Sequence, residues 1–262
     1  MPKFCANITF LFREIPLTER FAAARDAGFE AVEILSPEDV SLSALADAAK
    51  SAGVSVALVN APMGDFITGG DGLSAVPGRQ TEFRAAVAQA REMAEALHCK
   101  RVHIGPSKVP SGSSWQNCYD VFLENATYAA QQLAQAGMEM TIEALNDMDM
   151  PTVFLSRADQ VLSVIGEIAE PNVSFQFDVY HMVKMEADYL RVLHDNIDKI
   201  GHIQFADSPG RAEPGSGSLD FPVLFDCIDG LGYDGWVGAE YQPGGQTEES
   251  LTWFAEHRSI QP

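Results

Sequence analysis

The sequence predicts an α/β protein folded as a single (β/α)8 barrel over residues 1–262. Three observations carry this expectation. Strand-like runs alternate with helix-like runs from one end of the chain to the other, eight of each. No Pro- or Ser-rich linker breaks the alternation, so one domain is expected. The length is ordinary for this architecture and sufficient to bury a large core.

Strands are expected near 3–10, 30–35, 54–60, 100–105, 138–144, 173–178, 200–206 and 235–240. Helices are expected near 17–28, 41–52, 79–98, 114–136, 156–169, 185–198, 221–230 and 247–257. Three units share a helix end, a glycine and a following strand: DAGFEAVEI, SAGVSVALV and QAGMEMTIE. Gly28, Gly53 and Gly137 stand where a left-handed helix cap is needed.

The strands alternate informatively. Met138, Met140 and Ile142 oppose Glu139, Thr141 and Glu143; Val173, Phe175 and Phe177 oppose Ser174, Gln176 and Asp178. Ile203 and Phe205 oppose His202 and Gln204, and Val237 and Ala239 oppose Trp236, Gly238 and Glu240. In a barrel the apolar set faces the helix layer and the polar set faces the axis. Long loops at 61–78 and 207–220 follow strands three and seven, on the face where barrel active sites sit. Both are read as lid or binding loops.

The net charge is −20. Such a surface repels nucleic acid and anionic membrane, since phosphate binding needs clustered Lys and Arg. No apolar run reaches the roughly 20 residues of a membrane helix. The N-terminus MPKFCANITFLF reads as a first strand rather than a signal peptide, so a cytoplasmic location is expected. Cys5, Cys99, Cys118 and Cys227 are scattered without CxxC spacing and read as small buried residues, not as disulfides or a zinc site.

Glu143, Asp178, Gln204 and Glu240 each close a predicted strand, at separations of 35, 26 and 36 residues. Four consecutive strands thus present oxygen-bearing side chains toward one point. Three crowded carboxylates repel one another unless a cation lies among them. Oxygen donors favour a hard ion, Mg2+ or Mn2+. Glu143 and Glu240 come from strands three apart and are suited to remove and return a proton beside a carbonyl. The metal would stabilise the intermediate enediolate. His181, Arg211 and Lys108 are candidate contacts for substrate oxygens or a carboxylate. Asn7, Glu33, Asn60 and His103 close strands on the other half of the barrel and are expected to line the pocket, with Asn60 and His103 taken as substrate-binding. Phe66 and Trp236 are candidate walls, with core packing the stronger reading for Trp236. The expected ligand is a small hydroxy-keto acid or sugar, and the sequence leaves a homo-oligomer open.

The chain resembles the xylose-isomerase-like TIM barrel superfamily, and within it the hydroxypyruvate isomerase family, close to the 2-oxo-tetronate isomerases. The resemblance runs nearly end to end. It is carried by ERFAAARDAGFEAVEIL, GLSAVPGR, TIEALN, FQFDVYHM, KIGHIQFADSPGRAEPGSG and GYDGWVGAEYQP. It implies a metal-assisted interconversion of hydroxypyruvate and tartronate semialdehyde (2-hydroxy-3-oxopropanoate). It assigns proton transfer to Glu143 and Glu240 and metal binding to Glu143, Asp178, Gln204 and Glu240, and a likeness to related sugar epimerases suggests His181 and Arg211 as substrate contacts. The chain departs from the family in Gln242, where EYKP is common, and in Ser36, Pro37, Glu38 and Asp39, where an aromatic FPY-type loop is common. Abasic-site endonucleases resemble the same fold but use several zinc ions and many histidines; this chain has six histidines and a charge of −20.

Overall fold

A computed structural model describes residues 2–37, 39–186 and 188–259. Eight parallel strands close into a barrel in sequence order. They are β1 (Lys3–Asn7), β2 (Ala31–Ile34), β3 (Ser55–Asn60), β4 (Arg101–His103), β5 (Glu139–Glu143), β6 (Val173–Asp178), β7 (Ile200–Phe205) and β8 (Trp236–Ala239). Closure is made by β1 against β8, with Lys3 opposite Trp236 and Ala6 opposite Ala239. The helices are α1 (Leu17–Ala27), α2 (Leu42–Ala52), α3 (Gln80–Ala96), α4 (Trp115–Ala134), α5 (Ala158–Ile168), α6 (Val179–Met185), α7 (Tyr189–Asn196), α8 (Phe221–Gly230) and α9 (Thr252–Ser259).

The expected caps are present. Gly28, Gly53 and Gly137 have φ of 104°, 68° and 65°, conformations that a Cβ disfavours. Ser41 and Ser114 cap the starts of α2 and α4 by accepting from the N–H groups of Ala44 and Asn117. The alternation also holds. Met140, Ile142, Phe175, Phe177, Ile203, Phe205, Val237 and Ala239 join the main apolar core, while Thr141, Gln176, His202 and Gln204 are buried among the polar side chains. Where the barrel closes, Phe4 meets Phe205, Phe225 and Trp253 edge to face, as Phe205 meets Phe225 and Trp253, with Phe4–Phe225 centroids 4.8 Å apart.

Several boundaries differ from the expected ones. The first strand stops at Asn7 rather than residue 10, because Phe10 and Leu11 turn back to donate to the Asn7 carbonyl. Strand four stops at His103, ahead of Gly105 at φ 77°. The helix expected over 185–198 begins earlier and is split into α6 and α7. Asp178 accounts for the early start, since its side chain accepts from the Tyr180 N–H and starts a helix directly from the strand end. The helix expected at 247–257 opens as a 3-10 turn over Thr247–Leu251. Of the departing loop after β2, Glu38 lies outside the described residues. No described helix is long and apolar enough to cross a membrane.

Candidate active site

The C-terminal mouth of the barrel opens into a cavity of about 360 Å3. Glu143, Glu240, His181, Arg211, Lys108, Asn60 and His103 all line it, as does Phe66. Asp178 and Gln204 do not reach its wall; they lie buried at the same end of the barrel, in register with each other across β6 and β7. Asn7 and Glu33, expected to line the pocket, do not reach it either, because they are buried and bonded to each other. Trp236 packs instead with Cys5, Ala31 and Ala57, at the start of β8 and away from the mouth. Gln242 is exposed, and its N–H donates to the Arg211 carbonyl at 2.9 Å.

The electrostatics of the mouth are one-sided. Burial, then the negative charges of Asp178 and Glu240, push the Glu143 carboxyl well above its ordinary range. Burial also raises Asp178, against the pull of Arg211. Glu240 is pushed up to about 8 by burial, with Arg211 opposing and Asp178 adding to the shift. The counter-charge is Arg211, whose Nη2 lies 3.3 Å from Glu240 Oε2 and 3.6 Å from Asp178 Oδ2. Burial works against its charge, but Glu240, Asp178 and Glu143 together hold its pKa above the ordinary value.

Arg211 is held from three sides. Its guanidinium sits 5.1 Å from the Phe10 ring centroid and 5.3 Å from that of Tyr180. Its backbone adopts φ 55°, a conformation that costs a non-glycine residue roughly 1 kcal/mol or more. Asp207 supports that turn. Its carboxylate accepts from the N–H groups of Ser208, Gly215, Gly217 and Leu219 at 2.8–3.1 Å, and its carbonyl accepts from Arg211 N–H at 2.9 Å. Tyr180 is fixed in turn by donating to Asp149 at 2.6 Å, while Lys184 pairs with the same carboxylate at 2.7 Å.

His181 sits in the first turn of α6, which Asp178 caps. Its Nδ1 accepts the Asn146 backbone N–H at 3.1 Å. A ring nitrogen that accepts carries no proton, so a neutral imidazole here bears its hydrogen on Nε2. Burial keeps the ring neutral, its pKa well below the ordinary value. Nε2 lies 3.5 Å from Asp178 Oδ2 and has no hydrogen-bond partner among the described residues. His103 is likewise neutral, pushed down to about 3 by burial; its Nε2 is 3.7 Å from Glu143 Oε2. Lys108 turns toward the β3 loop, donating to the Gly69 carbonyl at 3.4 Å with its Nζ 5.5 Å from the Phe66 ring centroid.

Unpartnered polar atoms concentrate at this mouth: Asn60 Oδ1, His103 Nδ1, Asp178 Oδ2, His181 Nε2 and Arg211 Nε are all buried without a hydrogen bond. Buried polar atoms with open valences on one wall suit a polar ligand or an ion. Glu143, Asp178 and His181 each offer a ligand atom, mutually within 4.8 Å. An oxygen-rich, over-anionic cluster with a free carboxylate oxygen fits a hard divalent cation. The proton on His181 Nε2 makes that atom a donor rather than a ligand.

The chain has relatives of known family along almost its whole length. The xylose isomerase-like TIM barrel family matches residues 21–257. The 2-oxo-tetronate isomerase of Cupriavidus necator is 39% identical, covering 97% of this chain and 98% of its own. The hydroxypyruvate isomerase of Escherichia coli is 37% identical, covering 98% of this chain and 100% of its own. The chain belongs to the hydroxypyruvate isomerase/2-oxo-tetronate isomerase family. A crystal structure titled AP endonuclease, family 2, from Brucella melitensis superposes with a TM-score of 0.93 at 38% identity, over 98% of this chain and 99% of that one.

For an isomerase of this family, the sequence reading missed three supports of the site. Gln176 lines the cavity, Asp149 anchors Tyr180, and Asp207 orders the loop that carries Arg211. Gln176 was available as a signal, since it shares the axis-facing set with Asp178. The roles of Asp149 and Asp207 depend on loop conformation, which residue type does not specify.

Proposed function

We propose that this isomerase moves a proton between adjacent carbons of a small hydroxy-keto acid, with hydroxypyruvate and tartronate semialdehyde as the first substrate pair. The observation that carries the reading is the cluster of Glu143, Asp178 and Glu240 around the single guanidinium of Arg211. In this reading Glu143 and Glu240 are the proton-transfer pair. One, as carboxylate, takes a proton from the hydroxymethyl carbon. The resulting enediolate is reprotonated by the other, as acid, at the former carbonyl carbon, and the hydroxyl proton shifts to the neighbouring oxygen. Glu143, Asp178, Gln204 and Glu240 would hold Mg2+ or Mn2+. The bound ion supplies Lewis-acid stabilisation of the negative charge on the substrate oxygens. His181 donates through Nε2 to one of those oxygens. Arg211 offers its guanidinium to the substrate, and Lys108, Asn60 and His103 complete the polar wall.

A four-carbon 2-oxo-tetronate is the second reading. The cavity of about 360 Å3 is roomy for a three-carbon acid, which favours a longer substrate. The net charge of −20 opposes a DNA substrate.

A panel of three- to six-carbon keto acids and ketoses, scored by incorporation of solvent deuterium at the carbon next to the carbonyl, identifies the substrate. Glu143→Gln and Glu240→Gln should each lower turnover by about a thousandfold while the fold is retained. Near-normal turnover in both would sink the two-carboxylate mechanism.

A further inference from the structure

Below the carboxylate site lies a second layer of polar side chains on the barrel axis. At its centre is Glu33 of β2, fully buried. Its Oε2 accepts from Gln204 Nε2 at 2.7 Å and Asn7 Nδ2 at 3.1 Å. Its Oε1 accepts from His202 Nε2 at 2.7 Å and from the Cys5 thiol at 3.1 Å. Cys5 stays a thiol, its pKa raised by burial first and by Glu33 second. The layer is closed on itself rather than open to an ion, because His202 and Glu33 already bond directly.

All four contacts of Glu33 bring donor groups to its two oxygens, and this fixes the direction of the bonds that follow. The NH2 of Gln204 must face Glu33, so its oxygen faces the other way. Gln204 Oε1 accepts from Gln176 Nε2 at 2.6 Å, and Gln176 Oε1 accepts from Thr141 Oγ1 at 2.7 Å. The chain thus runs from β2 through β7 and β6 to β5. Reversing the Gln204 amide would set its oxygen against a carboxylate and its NH2 against another NH2. The fold reserves room for the anion: a Cβ on Gly238 of β8 would come within 1.7 Å of Glu33 Oε1. Gln176, to which the oxygen end of Gln204 points, lines the cavity.

We infer that Glu33 is a positioning residue that orients Gln204 so that its amide oxygen, and not its nitrogen, faces the carboxylate site. This inference rests on the metal-assisted reading above. Only the oxygen end can ligate a cation, since an amide nitrogen has no free lone pair to offer. One lone pair of Oε1 is taken by Gln176, and the other remains. Glu33 also adds negative charge beneath the site without contacting substrate.

The test uses metal-free full-length protein titrated with Mn2+ by calorimetry. Glu33→Gln should raise the Mn2+ dissociation constant by about 10- to 100-fold while circular dichroism is retained. In a Gln204→Met background the same substitution should cost clearly less, because no amide is left to orient and only the loss of negative charge remains. Unchanged Mn2+ affinity in Glu33→Gln, or an equal loss in both backgrounds, overturns the inference. If the wild-type protein takes up no Mn2+, the metal-assisted reading itself falls, and this inference with it. If Glu33→Gln does not fold, a crystal structure of the Mn2+-loaded wild-type protein decides. Gln204 Nε2 is expected still on Glu33, and a Gln204 side chain turned away from Glu33 overturns the proposal.

Discussion

Metal-free protein should lose stability as the pH rises through neutrality, and metal-loaded protein should not. Glu240 is the group to follow. Burial and its neighbours move its carboxyl from the ordinary 4.5 to about 8. In the unfolded chain it ionises near the ordinary value; in the folded, metal-free chain it keeps its proton until about pH 8. Across that window the folded state binds more protons, so stability falls as pH rises. The contribution is complete below about pH 4.5, declines between the two values and is gone above about 8. A shift of this size is worth on the order of 5 kcal/mol. Glu143 and Asp178 are raised as well and steepen the same slope. A divalent cation replaces the protons and removes the penalty on the charged forms, so its affinity should grow over the same range. The assay is urea denaturation at a series of pH values, with chelator or with Mn2+, for the wild type and for Glu240→Gln. Without metal the variant should gain on the wild type as pH rises, by a few kcal/mol at about pH 8. With Mn2+ the order should reverse. A metal-free wild type whose stability relative to Glu240→Gln does not change with pH would refute the reasoning.

Three further outcomes follow from the site. His181→Ala should lower turnover by about 100-fold yet leave Mn2+ affinity within about twofold, because Nε2 carries a proton; a large loss of Mn2+ affinity would make it a ligand instead. Arg211→Ala should raise KM by about 10-fold or more, and in metal-free protein it should push the Glu240 titration still higher, as followed by NMR of the carboxyl carbon. Asp207→Asn replaces an acceptor that serves four backbone N–H groups with one that carries its own NH2. It should cost about 1–3 kcal/mol in urea denaturation and raise KM through the loop that carries Arg211; an unchanged KM would separate the loop from binding.

The barrel was legible because its period is local: residues two apart share a face, and each βα unit repeats the pattern. The same rule placed Glu143, Asp178 and Glu240 at one mouth, since separations of about one unit put equivalent strand ends side by side. The rule could not rank polar residues by depth. Glu33 in EAVEIL has the same local pattern as Glu143 in TIEAL, yet one lies in a closed internal network and the other lines the cavity. What separates them is which donors face each one, and those donors come from strands up to 171 residues away. Depth therefore belongs to the assembled barrel and not to any segment of it.

Asp178 shows how a single residue joins local folding to chemistry. Its Oδ1 caps α6 through the Tyr180 N–H at 2.8 Å, while its Oδ2 has no hydrogen bond. The cap explains both the helix that the sequence reading missed and the placement of His181, which lies three residues on and faces that free oxygen. One oxygen is needed to build the strand-to-helix turn, and the other is left for an ion or a substrate. Asp178→Asn can keep the cap only by pointing its oxygen at Tyr180, which sets an NH2 where the free oxygen stood. It should therefore fold with a stability close to the wild type yet lose Mn2+ affinity by about 10-fold or more. A variant that retained full affinity would show that the free oxygen of Asp178 does not hold the ion.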